Sequence, residues 1–393
     1  MILTLNAGSS SLKFALYDLD AGADGPAVAA GLFERLGGGG GAFGVTRGGE
    51  RARVPFAGDH EAAFAHLGGV LREAGWLGGV AAVGHRVVHG GARFGAPVLV
   101  DADVEATVAE LAVLAPLHNP VNLLGIRLAR GLVAAGTPHV AVFDTAFHAT
   151  LPPHAYRYAV PEDWYREYGV RKYGFHGTSH GYVSAVARRV LAAAHRPHAR
   201  LVTLHLGNGC SAAAVRDGRC VDTTMGLTPL AGLVMGTRAG DVDPGLAAYL
   251  AARGIDVAAQ ARALNEASGL EGLAGENDMR ELLARRDAGD ERARLALALF
   301  TYRLRKAVGA FAAALGGLDG LVFTAGIGEN AAAIRAETCA GLAFLGVGLD
   351  AAANERRGGG ARIVGEGACA VLVVPTDEER AIAVATRAVA RAG

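Results

Sequence analysis

Leu201–Gly245 reads LVTLHLGNGCSAAAVRDGRCVDTTMGLTPLAGLVMGTRAGDVDPG, and this stretch decides the fold. LVTLHL is a short apolar run of the kind that forms a buried strand. Gly207-Asn208-Gly209 then turns the chain, because Gly and Asn tolerate positive φ. CSAAAVRDGRC continues as a second strand of small residues and turns again at Asp217-Gly218. Small side chains at such a turn let an anion approach the backbone N–H groups, which suits a phosphate. Further on, Arg238 stands between Gly236 and Gly240, with carboxylates at Asp241 and Asp243. A fixed cation on a small-residue loop beside acidic groups is the equipment of phosphoryl transfer. A plain hairpin followed by a solvated loop is the competing account of the same residues.

The N-terminus repeats this plan about 200 residues earlier. Residues 2–5 form an apolar strand, Asn6 to Ser11 a polar turn, and LKFALYDLD a second strand. Two such units predict a duplicated α/β chain, each copy opening on a hairpin. Asn6, Ser9, Ser11 and Lys13 point to phosphate or metal contact, whereas Ser10 is explained by the turn alone. Residues 37–44 contain a formal G-x-G-x-x-G, but no strand enters it and no amphipathic helix leaves it. It is read as a flexible loop, not a dinucleotide site.

Val80–Val83 predicts a buried strand that delivers Gly84, His85, Arg86 and His89 at its end, where α/β sheets bind ligands. His85 and His89 have ligand spacing only on a helix, so no zinc site is read here. Helices are expected over 60–76, 103–118, 246–265 and 290–315. Asp144 follows the apolar run Val140–Phe143, either as a catalytic carboxylate or as the start of a turn. In KYGFHGTSHGYV, His176 is expected to be exposed and Ser179 to cap a helix. Leu321–Thr324 runs through Ala-Gly-Ile-Gly into a helix beginning near Glu329-Asn330, a step that brings a nucleotide to a helix N-terminus. No Gly-Lys-Ser/Thr follows, which disfavours a P-loop.

Composition narrows the class. The 393 residues carry 38 basic and 38 acidic side chains, and hydrophobic residues make up 51%. That balance fits a soluble globular protein without a bulk nucleic-acid or membrane partner. No apolar run approaches the roughly 20 residues of a membrane span, and no signal peptide is read. Cys210, Cys220, Cys339 and Cys369 form no C-x-x-C pair, which fits reduced thiols in a cytoplasm.

Nine motifs in order, NAGSSSLKF, GHRVVHGG, LAPLHNP, VFDTAFH, YGFHGTSH, HLGNGCS, DTTMGLTPLAGLVMGTRAGDVDP, FTAGIGEN and VPTDEE, resemble the acetate kinase family from residue 2 to about 385. Propionate and butyrate kinases are similar relatives. Cys210 stands where the family pattern expects Ser, and Asp377 where it expects Asn. The resemblance implies two actin-like (ribonuclease H-like) domains facing a cleft: 1–148 completed by a helix at 381–393, and a nucleotide-binding 149–380. It implies transfer of the ATP γ-phosphoryl group to acetate with Mg²⁺ (or Mn²⁺), in a cytoplasmic homodimer. Arg86, Arg238, His176 and Asp144 are the implied catalytic set, with Asp144 orienting an arginine or a metal-bound water. Arg86, Val88, Leu117 and Pro229 would take the substrate, although Val88 and Leu117 also suit the core. Lys13, His205, Gly207, Asn208, Gly209, Asp278, Met279, Arg280, Gly326, Ile327, Gly328 and Asn330 are implied at the nucleotide. Asp278 could equally cap a helix. Asn6 and Glu378 are implied at the metal, while Glu378 or Glu379 could merely oppose a helix dipole. A non-enzymatic nucleotide switch of the same superfold is the rival class; it has no use for Arg86, Arg238 and His176 together.

Overall fold

The computed structural model describes residues 1–20, 25–365 and 367–392. The chain divides into two compact units, Met1–Ala146 with Asp377–Gly393, and Phe147–Thr376. Both follow one plan, a mixed sheet flanked by helices, as expected of a duplicated α/β chain.

In the first unit the strands are β1 (Ile2–Gly8), β2 (Ser11–Tyr17), β3 (Ala29–Glu34), β4 (Ala42–Arg47), β5 (Glu50–Pro55), β6 (Ala82–Val87), β7 (Val98–Leu99) and β8 (His139–Phe143). Their order is β5-β4-β3-β2-β1-β6-β8-β7. An antiparallel meander lies on one side of β1, and the parallel strands β6 and β8 lie on the other. Leu3, Leu5 and Phe14 pack into a core with Phe64 and Leu67 of helix His60–Glu73. Ile2, Ala15 and Ala82 pack with Ala383 of helix Glu378–Ala392. Strands covered on both faces read as apolar runs rather than alternations, which is why ILTL and VAAV are legible in the sequence.

The second unit holds β9 (Arg200–Leu206), β10 (Cys210–Arg216), β11 (Arg219–Thr223), β12 (Gly320–Thr324), β13 (Arg362–Ile363) and β14 (Ala370–Val373), in the order β11-β10-β9-β12-β14-β13. Again a meander flanks the first strand on one side and two parallel strands flank it on the other. Helix Gly177–Ala193 packs Val183, Ala187 and Leu191 against Leu201, Val322 and Leu372. Helix Glu291–Leu315 starts at Asp290, whose carboxylate accepts from Arg292 N and Ala293 N, and ends at Gly316 in the left-handed region.

Several sequence expectations need correction. The glycine run is not wholly a loop: Ala42 opens β4 and pairs with Glu34 and Pro55, so sheet pairing overrides local propensity. Strand β6 continues through His85 and Arg86 to Val87. The helix expected over 103–118 is Ala102–Glu110, followed by a 3₁₀ turn at Leu111–Val113. The 246–265 segment is two helices, Leu246–Ala251 and Val257–Glu266; Gly254 at φ 85° breaks them and Asp256 caps the second. The helix after β12 begins at Ala325, not Glu329, and the last helix begins at Glu378 rather than 381. Among the described residues no helix is long and apolar enough to cross a membrane.

Gly84 lies under the C-terminal helix, and a Cβ there would sit 2.2 Å from Thr386 Oγ1 and 2.8 Å from Ile382 Cγ2. Gly84→Ala should therefore lift the helix that begins with Glu378 and cost about 1–3 kcal/mol. Thermal unfolding checks this, and an unchanged Tm would contradict it.

Candidate active site

In the first unit, polar residues gather where β1, β6 and β8 end. Asn6 lies opposite Lys13 in the β1–β2 register. Arg86 is the next-to-last residue of β6, and Asp144 follows β8, its N–H donating to Val87 O at 3.0 Å. Arg86 Nε donates to both Asp144 oxygens at 3.2 and 3.0 Å, and Nη2 to Oδ2 at 2.5 Å. Its Nη1 reaches Asn6 Oδ1 at 3.3 Å. Asp144 is 1% exposed against 20% for Arg86, so a buried carboxylate anchors a guanidinium that still meets solvent. Burial opposes the Arg86 charge, and Asp144 more than restores it, holding the guanidinium above its ordinary range.

Glu378 joins the same cluster. Burial pushes its carboxyl up to about 7, Asp144 and Glu379 push the same way, and Arg86 and Lys13 pull it down. Lys13 Nζ pairs with Glu379 Oε1 at 2.6 Å. Asp144, Glu378 and Glu379 thus share this cluster with Arg86 and Lys13. Asp377 accepts from Arg380 N at 3.0 Å, so the Asp that replaces the expected Asn caps the helix start.

Val88 is 4% exposed, whereas Leu117 is 67% exposed. Sequence reading missed what fixes Val88. Asn122 accepts from Val88 N at 2.9 Å and donates to Ala7 O at 2.8 Å, and Asn119 exchanges two hydrogen bonds with the His89 backbone. The i, i+3 spacing of Asn119 and Asn122 on helix Asn119–Arg130 was the available signal. His85 is buried and pairs Nε2 to His139 Nδ1 at 2.8 Å. Among the described residues no group of three or more His, Cys, Asp or Glu is disposed to hold a metal ion.

In the second unit, His176 precedes helix Gly177–Ala193 at φ 57°, a left-handed conformation uncommon for a side-chain-bearing residue. It is half-buried, not exposed. Its Nδ1 meets Ser211 Oγ at 2.8 Å, and its ring stacks on His205 at 4.2 Å. Ser179 is not the cap; its hydroxyl bonds His205 Nδ1 at 2.8 Å and Thr376 Oγ1 at 2.9 Å. Arg238 Nη1 donates to Pro229 O at 3.2 Å and touches Met235 Sδ at 3.8 Å. Burial lowers the Arg238 guanidinium below its ordinary value. Asp241 and Asp243 do not pair with it. They accept from Gly232 N and Gly245 N, each at 2.7 Å, and so hold the loop's turns.

Gly209 brings these groups together. A Cβ there would lie 3.4 Å from the His176 ring and 3.7 Å from Arg238 Nη1. Asn208 locks the neighbouring loop, its carbonyl accepting from Gly236 N at 2.9 Å. A Cβ on Gly207 would lie 4.0 Å from His205 Nε2 and from Ala325 Cβ. Ala325 has φ 64°, and Glu329 Oε1 accepts from both Ala325 N and Thr376 N, at 2.9 and 3.1 Å. Arg335, 1% exposed, donates to the carbonyls of Gly328 and Glu329 and to Asn354. It pins the Gly326-Ile327-Gly328 turn from behind. Glu329 and Arg335 were not singled out in the sequence, since FTAGIGEN draws attention to its glycines. Asn330 Nδ2 donates to Gly326 O. Asp278 caps helix Met279–Asp287 and pairs with Arg280, which holds its carboxyl at about 2, while Met279 is buried. These contacts account for the helix start without a nucleotide.

The chain matches the model of the acetokinase family over residues 1–384. It is 53% identical to an acetate kinase of Deinococcus deserti, covering 99% of this chain and 98% of that one. It is 48% identical to an acetate kinase of Streptomyces coelicolor, over 98% and 96% of the two chains. Among solved structures, a propionate kinase from Francisella tularensis superposes with TM-score 0.92 at 40% identity, covering 98% of this chain and 99% of that one. An acetate kinase from Porphyromonas gingivalis gives 0.90 at 41%, with 99% of each covered.

The raised Glu378 carboxyl sets a pH dependence. Between about 4.5 and about 7 the folded protein keeps a proton that the unfolded chain has released. This group's contribution to stability therefore falls as pH rises through that window. Glu378→Gln should flatten that part of the curve, as measured by denaturant unfolding between pH about 5 and about 8. An identical pH slope in the variant would remove Glu378 as its source.

Proposed function

The chain belongs to the acetokinase family, phosphotransferases with a carboxyl group as acceptor, and we propose that it moves the γ-phosphoryl group of ATP reversibly to acetate, giving ADP and acetyl phosphate. The observation that carries the reading is the pair of fixed guanidiniums: Arg86 clamped by Asp144, and Arg238 beside His176 at the Gly209 turn. Acetate is already ionised at neutral pH, since carboxylic acids have pKa values near about 4. No general base is needed. The barrier lies in joining two anions and in charge on the transferred oxygens, which fixed cations and donors stabilise. Arg86 and Arg238 supply the cations and His176 a hydrogen bond. Asp144 orients Arg86 and takes no proton.

Asn6 and Glu378 would hold Mg²⁺ or Mn²⁺. Both offer hard oxygens, and Mg²⁺ is commonly bound by one or two carboxylates plus substrate phosphates. When bound, the ion supplies charge neutralisation on the phosphates. His205, the Gly207-Asn208-Gly209 turn, Gly326-Ile327-Gly328 and Asn330 serve the nucleotide, with Lys13, Asp278, Met279 and Arg280 as further contacts. On the family resemblance, the working form is a cytoplasmic homodimer with 1–148 and 149–380 as functional domains.

Trapping acyl phosphate with hydroxylamine, in the presence of ATP and acetate, tests the reaction and separates it from a nucleotide switch, which would form none. Arg238→Ala should lower kcat on the order of 10³-fold with little change in ATP affinity. A variant that retains most of its kcat would take Arg238 out of the transition state.

Propionate is the second reading, favoured by the likeness to a propionate kinase. One methylene is worth only about 1–3 kcal/mol of discrimination, so propionate should react more weakly than acetate. Val88→Ala tests the pocket: kcat/KM for propionate relative to acetate should rise. A destabilised variant with the same acid preference would place Val88 in the core alone.

A further inference from the structure

Ser211 Oγ lies 2.8 Å from His176 Nδ1 and 2.8 Å from His180 Nε2. A hydroxyl has one hydrogen, so it donates to one of these rings and accepts from the other. His180 Nδ1 in turn meets Thr203 Oγ1 at 2.7 Å. The four groups form a chain that runs in one of two directions. In one, Thr203 donates to His180 Nδ1, His180 Nε2–H donates to Ser211, and Ser211 donates to His176 Nδ1. In the other every hydrogen is reversed, and the Thr203 hydroxyl must find a different acceptor. The contact it then has is Ala213 O at 3.5 Å, beyond ordinary hydrogen-bond length. Thr203, His180 and Ser211 are all 0% exposed, so no solvent repairs that loss. A hydroxyl hydrogen left buried without a good partner is costly.

We infer that Thr203, His180 and Ser211 are a directional hydrogen-bond relay that fixes the tautomer of His176, putting its ring hydrogen on Nε2. Burial, with the neighbouring His148 and His205 rings, keeps His180 well below the ordinary histidine pKa, so it enters the relay neutral. A protonated His180 would donate at both nitrogens and leave the Thr203 hydroxyl without its acceptor, although Ser211 would still donate to His176. The consequence is that a neutral His176 is already a donor at Nε2. It needs no protonation to serve a phosphoryl oxygen. The three relay residues are positioning residues, and their functional importance rests on the proposed donor role of His176; the relay itself does not.

Nitrogen chemical shifts of isotope-labelled histidine rings distinguish a protonated nitrogen from a bare one, and His176→Gln assigns the signal. In the wild-type protein at assay pH, His176 should show a protonated Nε2 and a bare Nδ1. The opposite tautomer, or an imidazolium, would overturn the relay. Thr203→Val keeps the shape and removes the donor. It should mix the His176 tautomers and lower kcat about 10-fold, the scale of one buried hydrogen bond, with KM for both substrates within about 2-fold. Thr203→Ser should recover the wild-type ring pattern. A folded Thr203→Val with that pattern intact would also overturn the proposal, and if that variant does not fold the wild-type spectrum decides. Should no acyl phosphate form under any condition, the kinase reading fails while the ring pattern still tests the relay.

Discussion

Parallel pairing is the constraint on which the rest depends. Strands that run in the same direction and are held in register end at the same edge of their sheet, and whatever follows each strand is delivered there. In the first unit Leu5 is level with His85, and Val87 with Phe143, so Asn6, Arg86 and Asp144 arrive together from positions far apart in the sequence. In the second unit His205 is level with Thr324, and Phe323 with Val373. The Gly207 turn, the Ala325 turn and Thr376 are thereby brought to one edge. Neither gathering needs a sequence motif of its own; register does it.

The two guanidiniums are then held by opposite means. Arg86 is gripped by a buried carboxylate through a bidentate, charge-assisted arrangement, which fixes direction as well as position. Arg238 is held by a carbonyl and a thioether, so its charge is not cancelled by its hydrogen-bond partners. Burial lowers its basicity, yet far too little to discharge an arginine at neutral pH. Orientation is bought in the first case with part of the electric field, and kept in the second at the cost of desolvation. A reaction that must first align an anion and then stabilise growing charge has use for both.

What the sequence made legible follows from these physical differences. Strands buried on both faces announce themselves as apolar runs, and Gly and Asn mark turns, although Gly207, Asn208 and Gly209 do not take the positive φ expected of them. Hence β1, β6, β8, β9 and β12, with Asn6, Arg86, Asp144 and the 207–209 turn, could be picked out. The supporting residues could not. Thr203 and Ser211 are single hydroxyls inside apolar strands, and Arg335 and Glu329 act through backbone groups. Their importance lies in partners that only folding supplies. Asp241 and Asp243 stand beside Arg238 in the sequence, but as short loop carboxylates they are captured by their own turn's N–H groups. His176 was expected to be exposed because it is polar and stands before a helix. It is half-buried because its left-handed backbone turns the ring toward Ser211 and His205.

That burial gives the second unit its chemical character. A site for an acceptor that is already an anion must offer donors, and a histidine in water offers one at either nitrogen, or two when protonated. Held between His205 and Ser211, His176 loses that freedom. The order of donors is set within strand β9 and passes through His180 to the helix start, so the position of the ring hydrogen on His176 is decided by a hydroxyl three hydrogen bonds away. Buried polar groups in a core cost stability unless every one is satisfied. Here the requirement of full satisfaction is itself what selects one arrangement of hydrogens from two, and so turns a packing constraint into a chemical one.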